Sequence, residues 1–135
     1  MSNKKDDMLY EFMNYFISKI YYKQNKKAFK SKNIYDKLCF VSDKVRKEGY
    51  KVGHMYREEP MKQIPDSGWR FLAGNEDEEY MNNPDTHHIV HILTVSEIDP
   101  DIVPYLESKV GSSYIRVDDD KFEEDDETQE IYVTK

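Results

Sequence analysis

The string DSGWRF, Asp66 to Phe71, holds the only tryptophan of the chain, and it reads as a turn running straight into a strand. Asp66 and Ser67 can accept hydrogen bonds from nearby backbone amides and Gly68 tolerates a positive φ, while Trp69 then brings roughly 150 to 250 Å² of surface that has to be buried. The string lies in a block, Val41 to Asp85, that also holds four of the five glycines and a dense set of carboxylates. Shape and charge are therefore specified together in this stretch.

Periodicity fills in the elements around it. Apolar residues recur every three or four positions from Met8 to Tyr22, which predicts an amphipathic helix; Asn3 caps it, and Lys19 and Lys23 lie near its end. Its apolar face is expected on the domain core, with a homodimer seam as an alternative. Leu38 to Val41 reads as a buried strand, and Ser42 caps a short helix through Glu48 that Gly49 closes. Alternation from Lys51 to Arg57 predicts a second strand, Pro60 and Pro65 bracket a loop, and Trp69 to Leu72 is a third strand. Glu76 to Met81 reads as a short helix, and the apolar run Ile89 to Val95 as a strand central to a sheet. Asp99 and Pro100 open a helix through Glu107, with Ile102, Val103 and Leu106 inward. Ser112 to Val117 and Gln129 to Val133 are the last strands, joined by Asp118 to Glu127, a stretch too acidic to bury.

The expected fold is α+β, a single domain with a mostly antiparallel sheet of about five or six strands. A long N-terminal helix and a second helix pack on it. Residues 1–33 form the helical extension, 34–122 the core, and 118–135 the acidic loop and final strand.

Charge and composition narrow the function classes. Residues 1–47 hold 12 Lys/Arg against 5 Asp/Glu, whereas residues 48–135 hold 8 against 22. An acidic surface of this kind repels nucleic-acid phosphates and attracts basic partners. The longest run free of charged residues, Thr86 to Ser96, is shorter than the roughly 18 apolar residues of a membrane span. The start MSNKKDDMLYEF lacks the apolar run of a secretory signal, so a cytoplasmic location is expected, with no membrane and no nucleic-acid partner. Cys39 lies in the apolar run LCFV and reads as a buried structural thiol.

Catalytic signatures are absent: the chain has no glycine-rich phosphate loop, no CxxC pair, no nucleophile elbow and no HExxH helix. The expectation is a protein that is not an enzyme and needs no cofactor. His87, His88 and His91 come nearest to a metal set, but a strand sends His88 and His91 to opposite faces. The run Glu76, Asp77, Glu78 and Glu79 lacks the alternating ligands of a calcium loop; helix capping and partner binding both account for it. Arg57, Glu58, Glu59 and Arg70 flank two strands and can knit them by Arg–carboxylate pairing or face a partner. Catalysis from this set would need a concave pocket holding Arg57, Asp66 and Glu76 together.

Four motifs in order carry a resemblance: VSDKV at Val41 to Val45, VGHMYREEP at Val52 to Pro60, DSGWRFLAGNEDEEYM at Asp66 to Met81, and DPDIVPYLESKVGSSY at Asp99 to Tyr114. Over Phe40 to Phe122 the chain resembles small bacterial proteins, long catalogued as a domain of unknown function, that are grouped with the immunity proteins of polymorphic toxin systems. The resemblance implies a small cytoplasmic protein that binds and neutralises a toxin made by its own lineage. Against a basic toxin the acidic surface expected around Glu58, Glu59, Glu76, Asp77, Glu78 and Glu79, with Arg57, Asp66 and Arg70 beside it, would speed the encounter. Ser67, Gly68 and Trp69 are expected to be structural. A non-catalytic ligand- or protein-binding module is the alternative reading.

Overall fold

The structure, a computed structural model, describes residues 26–125. The predicted helix Met8 to Tyr22 and the predicted strand Gln129 to Val133 lie outside the described residues.

Six strands, β1 (Leu38–Ser42), β2 (His54–Arg57), β3 (Asp66–Leu72), β4 (His87–His91), β5 (Ser113–Arg116) and β6 (Phe122–Glu124), form one sheet in the order β4-β1-β3-β2-β5-β6. Only β1 and β3 run parallel; every other neighbouring pair is antiparallel. The helices are short: α1 (Lys26–Lys30), α2 (Asp43–Arg46), α3 (Glu78–Asn82) and α4 (Ile92–Ile98), with a 3₁₀ turn at Pro100–Tyr105. The fold is thus the expected α+β type, with a six-stranded sheet and a few short helices among the described residues.

Alternation along the strands divides the sheet into two faces. Cys39 and Val41 of β1, Met55 of β2 and Trp69 and Phe71 of β3 point to the face covered by Val45 of α2, Ile92 and Val95 of α4, and Ile102 and Leu106. On the opposite face Leu38 packs with Ile64, bordered by Phe40, Met61 and Ile89. Cys39 is fully buried and its thiol donates to the Val90 carbonyl at 3.5 Å. Burial pushes the thiol pKa well above its ordinary value, so the group is inert packing.

Two glycines are dictated by contact. A Cβ on Gly68, which has φ of 89°, would meet the Glu58 carbonyl at 2.2 Å, and one on Gly53 would meet the Ala73 carbonyl at 1.9 Å. Both glycines let β2 and β3 close on each other at either end of their ladder.

Three expectations are corrected. The apolar run predicted as one strand, Ile89 to Val95, is a strand only to His91 and a helix from Ile92, and β4 lies at the sheet edge, not its centre. The reason is spacing: Ile92, Val95 and Ser96 are buried while Leu93 and Thr94 are exposed, the three-and-four pattern of a helix lying on the sheet. The helix predicted from Asp99 to Glu107 is instead a 3₁₀ turn with Pro104 inside it. Its tighter pitch turns Val103 outward, 40% exposed, while Ile102 and Leu106 remain buried. The third correction concerns Asp118 to Glu127. Within that stretch Phe122 enters the core and β6 pairs with β5, leaving Asp125 buried as well. One aromatic among acids is enough to anchor a short strand when its charged neighbours Glu123 and Glu124 stay in solvent.

Candidate functional site

Asp66 opens β3 and organises the DSGWRF string. Its Oδ1 accepts from the Gly68 amide at 2.9 Å and its Oδ2 from the Met61 amide at 2.8 Å, fixing the turn on both sides. The same two oxygens take Arg70 in a bidentate pair, Nη1 to Oδ1 at 2.9 Å and Nη2 to Oδ2 at 2.8 Å. Arg70 also donates to the Trp69 carbonyl and, through Nε at 2.6 Å, to Glu58 Oε2 on the neighbouring chain segment. Its guanidinium carbon lies 3.7 Å from the centre of the Phe40 ring. Burial opposes the charge on Arg70, but Asp66 and then Glu58 more than offset it and raise its pKa.

On the other face of β3, Trp69 is fully buried, stacks on Phe71 at 5.9 Å, and donates Nε1–H to the Leu106 carbonyl at 3.0 Å. Arg57, its cross-strand neighbour, meets no carboxylate among the described residues. Instead it donates to the carbonyls of Ser67 at 2.9 Å and Ser108 at 2.7 Å.

Beyond the far end of β3, Glu76 folds back on the chain. Its Oε2 accepts from Ser42 Oγ at 2.6 Å and from the Ala73 amide at 2.7 Å, and its Oε1 from the Gly74 amide at 2.8 Å. Burial works against the carboxylate, yet the Ser42 hydroxyl and these backbone amides hold its pKa below the ordinary value. Asp77 caps α3 by accepting from the Tyr80 amide at 2.7 Å. Glu78 and Glu79, in the first turn of α3, are exposed.

The candidate residues therefore fall into two groups. Arg57, Glu58, Glu59, Asp66 and Arg70 lie at the start of β3, and Glu76, Asp77, Glu78 and Glu79 lie past its end. Five residues of strand separate Gly68, which faces Glu58, from Ala73, which faces Glu76; at a rise of about 3.3 Å per residue that is roughly 17 Å. The two groups are thus tethered near opposite ends of β3, and Arg57, Asp66 and Glu76 bond to different partners in separate places.

Two clusters escaped the sequence reading. Arg116 of β5 donates to Asp99 at 2.7 Å, Asp101 at 2.9 Å and the Val52 carbonyl at 2.8 Å, while Asp99 Oδ2 also accepts from the Val52 amide. The DPD of Asp99 to Asp101 is thus the anchor of the 3₁₀ turn on the sheet. The second cluster is His54, Ser113 and Asp125. His54 Nε2 lies 3.2 Å from Ser113 Oγ and 3.7 Å from Asp125 Oδ2. Serine and carboxylate meet the same ring nitrogen, so the set cannot relay a proton as a catalytic triad does. Neither cluster had a local signal beyond its residue types, because each is assembled by strand pairing across more than ten residues. His88 Nε2 lies 2.8 Å from Asp43, and among the described residues no group of three or more His, Cys, Asp or Glu is placed to hold a metal ion. No helix among them is long and apolar enough to cross a membrane.

The Immunity protein Imm33 domain family matches residues 39–126, more than half of the chain and the whole of the sheet except Leu38. The chain belongs to this immunity-protein family. No curated protein and no solved structure matches it. In Imm33 terms, the matched region contains both networks that close the sheet, Asp66–Arg70–Glu58 and Asp99–Arg116, together with the Trp69 core. The conclusion the sequence motifs pointed to is carried by the family match itself, which begins one residue before and ends four residues after the stretch of resemblance.

The titratable groups set the response to acid. Burial, opposed by Asp125 and Glu76, lowers the His54 pKa, and burial, opposed first by Glu76, lowers that of His87. A histidine with a folded pKa below its unfolded value of about 6.5 binds fewer protons when native, so stability rises with pH through that window and falls on acidification. Glu76, lowered from about 4.5, contributes stability that is lost as pH falls through its folded pKa. The melting temperature is therefore expected to drop between pH 7 and pH 5, then more steeply below. His54→Gln with His87→Gln should flatten the first part. An undiminished slope in that double variant would place the proton uptake elsewhere.

Proposed function

We propose that this Imm33 protein is an immunity protein that binds and neutralises a cognate toxin by meeting its basic surface with exposed carboxylates, acting in the cytoplasm of the cell that makes the toxin. The single observation that carries the toxin-immunity part is the family match over residues 39–126. The division of labour among the carboxylates supports the rest. Asp66, Glu76 and Asp99 hold the fold together, as described above, whereas Glu59, Glu78 and Glu79 are exposed and make no ion pair among the described residues. With a net charge of −7, such groups attract a basic partner over distances comparable with the screening length.

The choice of variant follows from the geometry. Reversing Glu76 or Asp77 would remove a loop tether or a helix cap and confound binding with stability. Glu78→Lys with Glu79→Lys changes only exposed positions. Surface plasmon resonance with the product of a neighbouring toxin gene is expected to show association slowed by about tenfold or more at low salt, with an unchanged melting temperature. An association rate indifferent to both salt and the reversal would sink the acidic-surface model. A chain that fails to protect cells expressing that toxin would sink the immunity reading with it.

A further inference from the structure

One cation of the chain is held by aromatic rings instead of carboxylates. Lys44 lies in α2, and its Nζ sits 5.2 Å from the centre of the Tyr80 ring and 5.6 Å from that of Tyr50. Its hydrogen bonds go to Asn75, the carbonyl at 3.4 Å and the side-chain Oδ1 at 3.1 Å. Lys44 makes no ion pair among the described residues, although Asp43 beside it pairs with Arg46, Lys47 and His88.

Local structure puts the two rings there. The chain doubles back after α2, and the Tyr50 amide donates to the Lys44 carbonyl at 3.0 Å. The Tyr80 hydroxyl accepts from the Lys44 amide at 3.0 Å, which brings α3 against α2. Negative charge surrounds the rings. Burial raises the Tyr80 pKa, the Lys44 amide opposes it, and the carboxylates of Glu48, Asp43 and Glu76 add to the rise. Tyr50 is 44% exposed, and Glu78 and Glu79, in the same helix as Tyr80, are exposed as well. Two ring faces partly open to solvent in a negative field suit an ammonium or guanidinium group, and Lys44 is their built-in occupant.

We propose that Tyr50 and Tyr80 form a cation-binding cleft for a lysine or arginine side chain of a basic protein partner, which enters by displacing Lys44. The lysine is well placed to yield. Both its bonds to Asn75 are exposed, its stem is flexible, and a ring contact at an exposed site is weak. Tyrosine suits the receiving side, since its rigid ring offers contact area at little cost in conformational entropy. Self-occupancy lowers the apparent affinity for an outside cation by the fraction of time the cleft is vacant. The cleft therefore favours a partner that presents its cation at high local concentration, as one steered by Glu78 and Glu79 does. It serves immunity only if the toxin is basic, as proposed above, but its test needs no toxin.

Hexalysine is the probe, titrated into the full chain at about 0.15 M salt up to about 5 mM, the range of a weak contact. Isotope-labelled tyrosine rings and backbone amides are followed by NMR. The ring signals of Tyr50 and Tyr80, identified from Tyr50→Phe and Tyr80→Phe, are expected to shift saturably. Lys44→Met should bind about threefold or more tighter than wild type. It should also bind tighter than Lys47→Met, which removes an equal charge from a nearby exposed position. Tyr50→Leu should lose the Tyr80 shift and Tyr50→Phe, which keeps the ring, should retain it; both change an exposed side chain, so the melting temperature is expected to hold. Absence of binding across the range overturns the proposal. So does an equal Kd in Lys44→Met and Lys47→Met, which would make Lys44 a tie between α2 and α3. Shifts confined to the amides of Glu78 and Glu79, with both rings unmoved, overturn the cleft and leave the acidic-surface reading standing; that reading fails only in the toxin assay.

Discussion

Replacing Trp69 with alanine is expected to destabilise the protein by about 3 to 5 kcal/mol, the range for deleting a large aromatic side chain from a core that cannot collapse around it. The surroundings favour the upper half of that range. Trp69 is fully buried, lies against Phe71 within β3, and is crossed by the Arg57 guanidinium 5.8 Å from its ring centre. Its indole N–H also ties β3 to the Leu106 carbonyl at the end of the 3₁₀ turn, so the variant loses a link between layers as well as volume. A domain with total stability of about 5 to 15 kcal/mol would retain little after such a loss. Guanidinium chloride unfolding followed by circular dichroism is the measurement, because the variant has no tryptophan fluorescence. Trp69→Phe keeps much of the packing and loses the hydrogen bond, so it should fall between the two. A midpoint unchanged in the alanine variant would move Trp69 from the core to a surface role.

The part of this fold that was legible in the sequence is the part made by near neighbours. Asp66 bonding the amide two residues on, Gly68 at positive φ and Trp69 entering the core all follow from DSGWRF, since each contact spans a few residues. The Arg–carboxylate knit of β2 and β3 was legible as a type of contact but not as a pairing. Alternation would have separated the two arginines, because Arg57 shares the face of its cross-strand neighbour Trp69 whereas Arg70 points to the other side. What could not be read was set at long range. Strand order depends on pairings such as β1 with β3 and β2 with β5, and Arg116 finds Asp99 only after both are in place. The run from Ile89 to Val95 fits a strand and a helix equally well, and its switch at Ile92 is decided by the sheet on which α4 lies. Within Asp118 to Glu127, net charge outweighed the one signal that mattered, the apolar ring of Phe122. The acidic candidates were grouped because they are close in sequence, and β3 runs between them.

Removing the Asp66 carboxylate is expected to cost about as much as removing Trp69, by a different mechanism. In Asp66→Ala the Arg70 guanidinium, whose side chain is 5% exposed, loses its bidentate partner, and the amides of Gly68 and Met61 lose their acceptor. Breaking a buried ion pair from one side typically costs about 3 to 5 kcal/mol, because the remaining charge stays in a poorly solvated site. Glu58 cannot take over, since its own side chain is 52% exposed and an ion pair in such a setting contributes little. The mechanism makes a second demand: Asp66→Asn with Arg70→Met removes both charges, so the pair should be less destabilised than the two single changes added together. Denaturant unfolding of the four members of this cycle measures the coupling. Additive effects, or a cost for Asp66→Ala below about 1 kcal/mol, would show that the guanidinium is held by Phe40 and Glu58 and not by the carboxylate beneath it. The result also governs how toxin assays on these positions are to be read. Loss of protection in an Asp66 or Arg70 variant would report a failing fold, whereas the same loss in the Glu78 and Glu79 reversal, with melting temperature intact, would report a failed encounter.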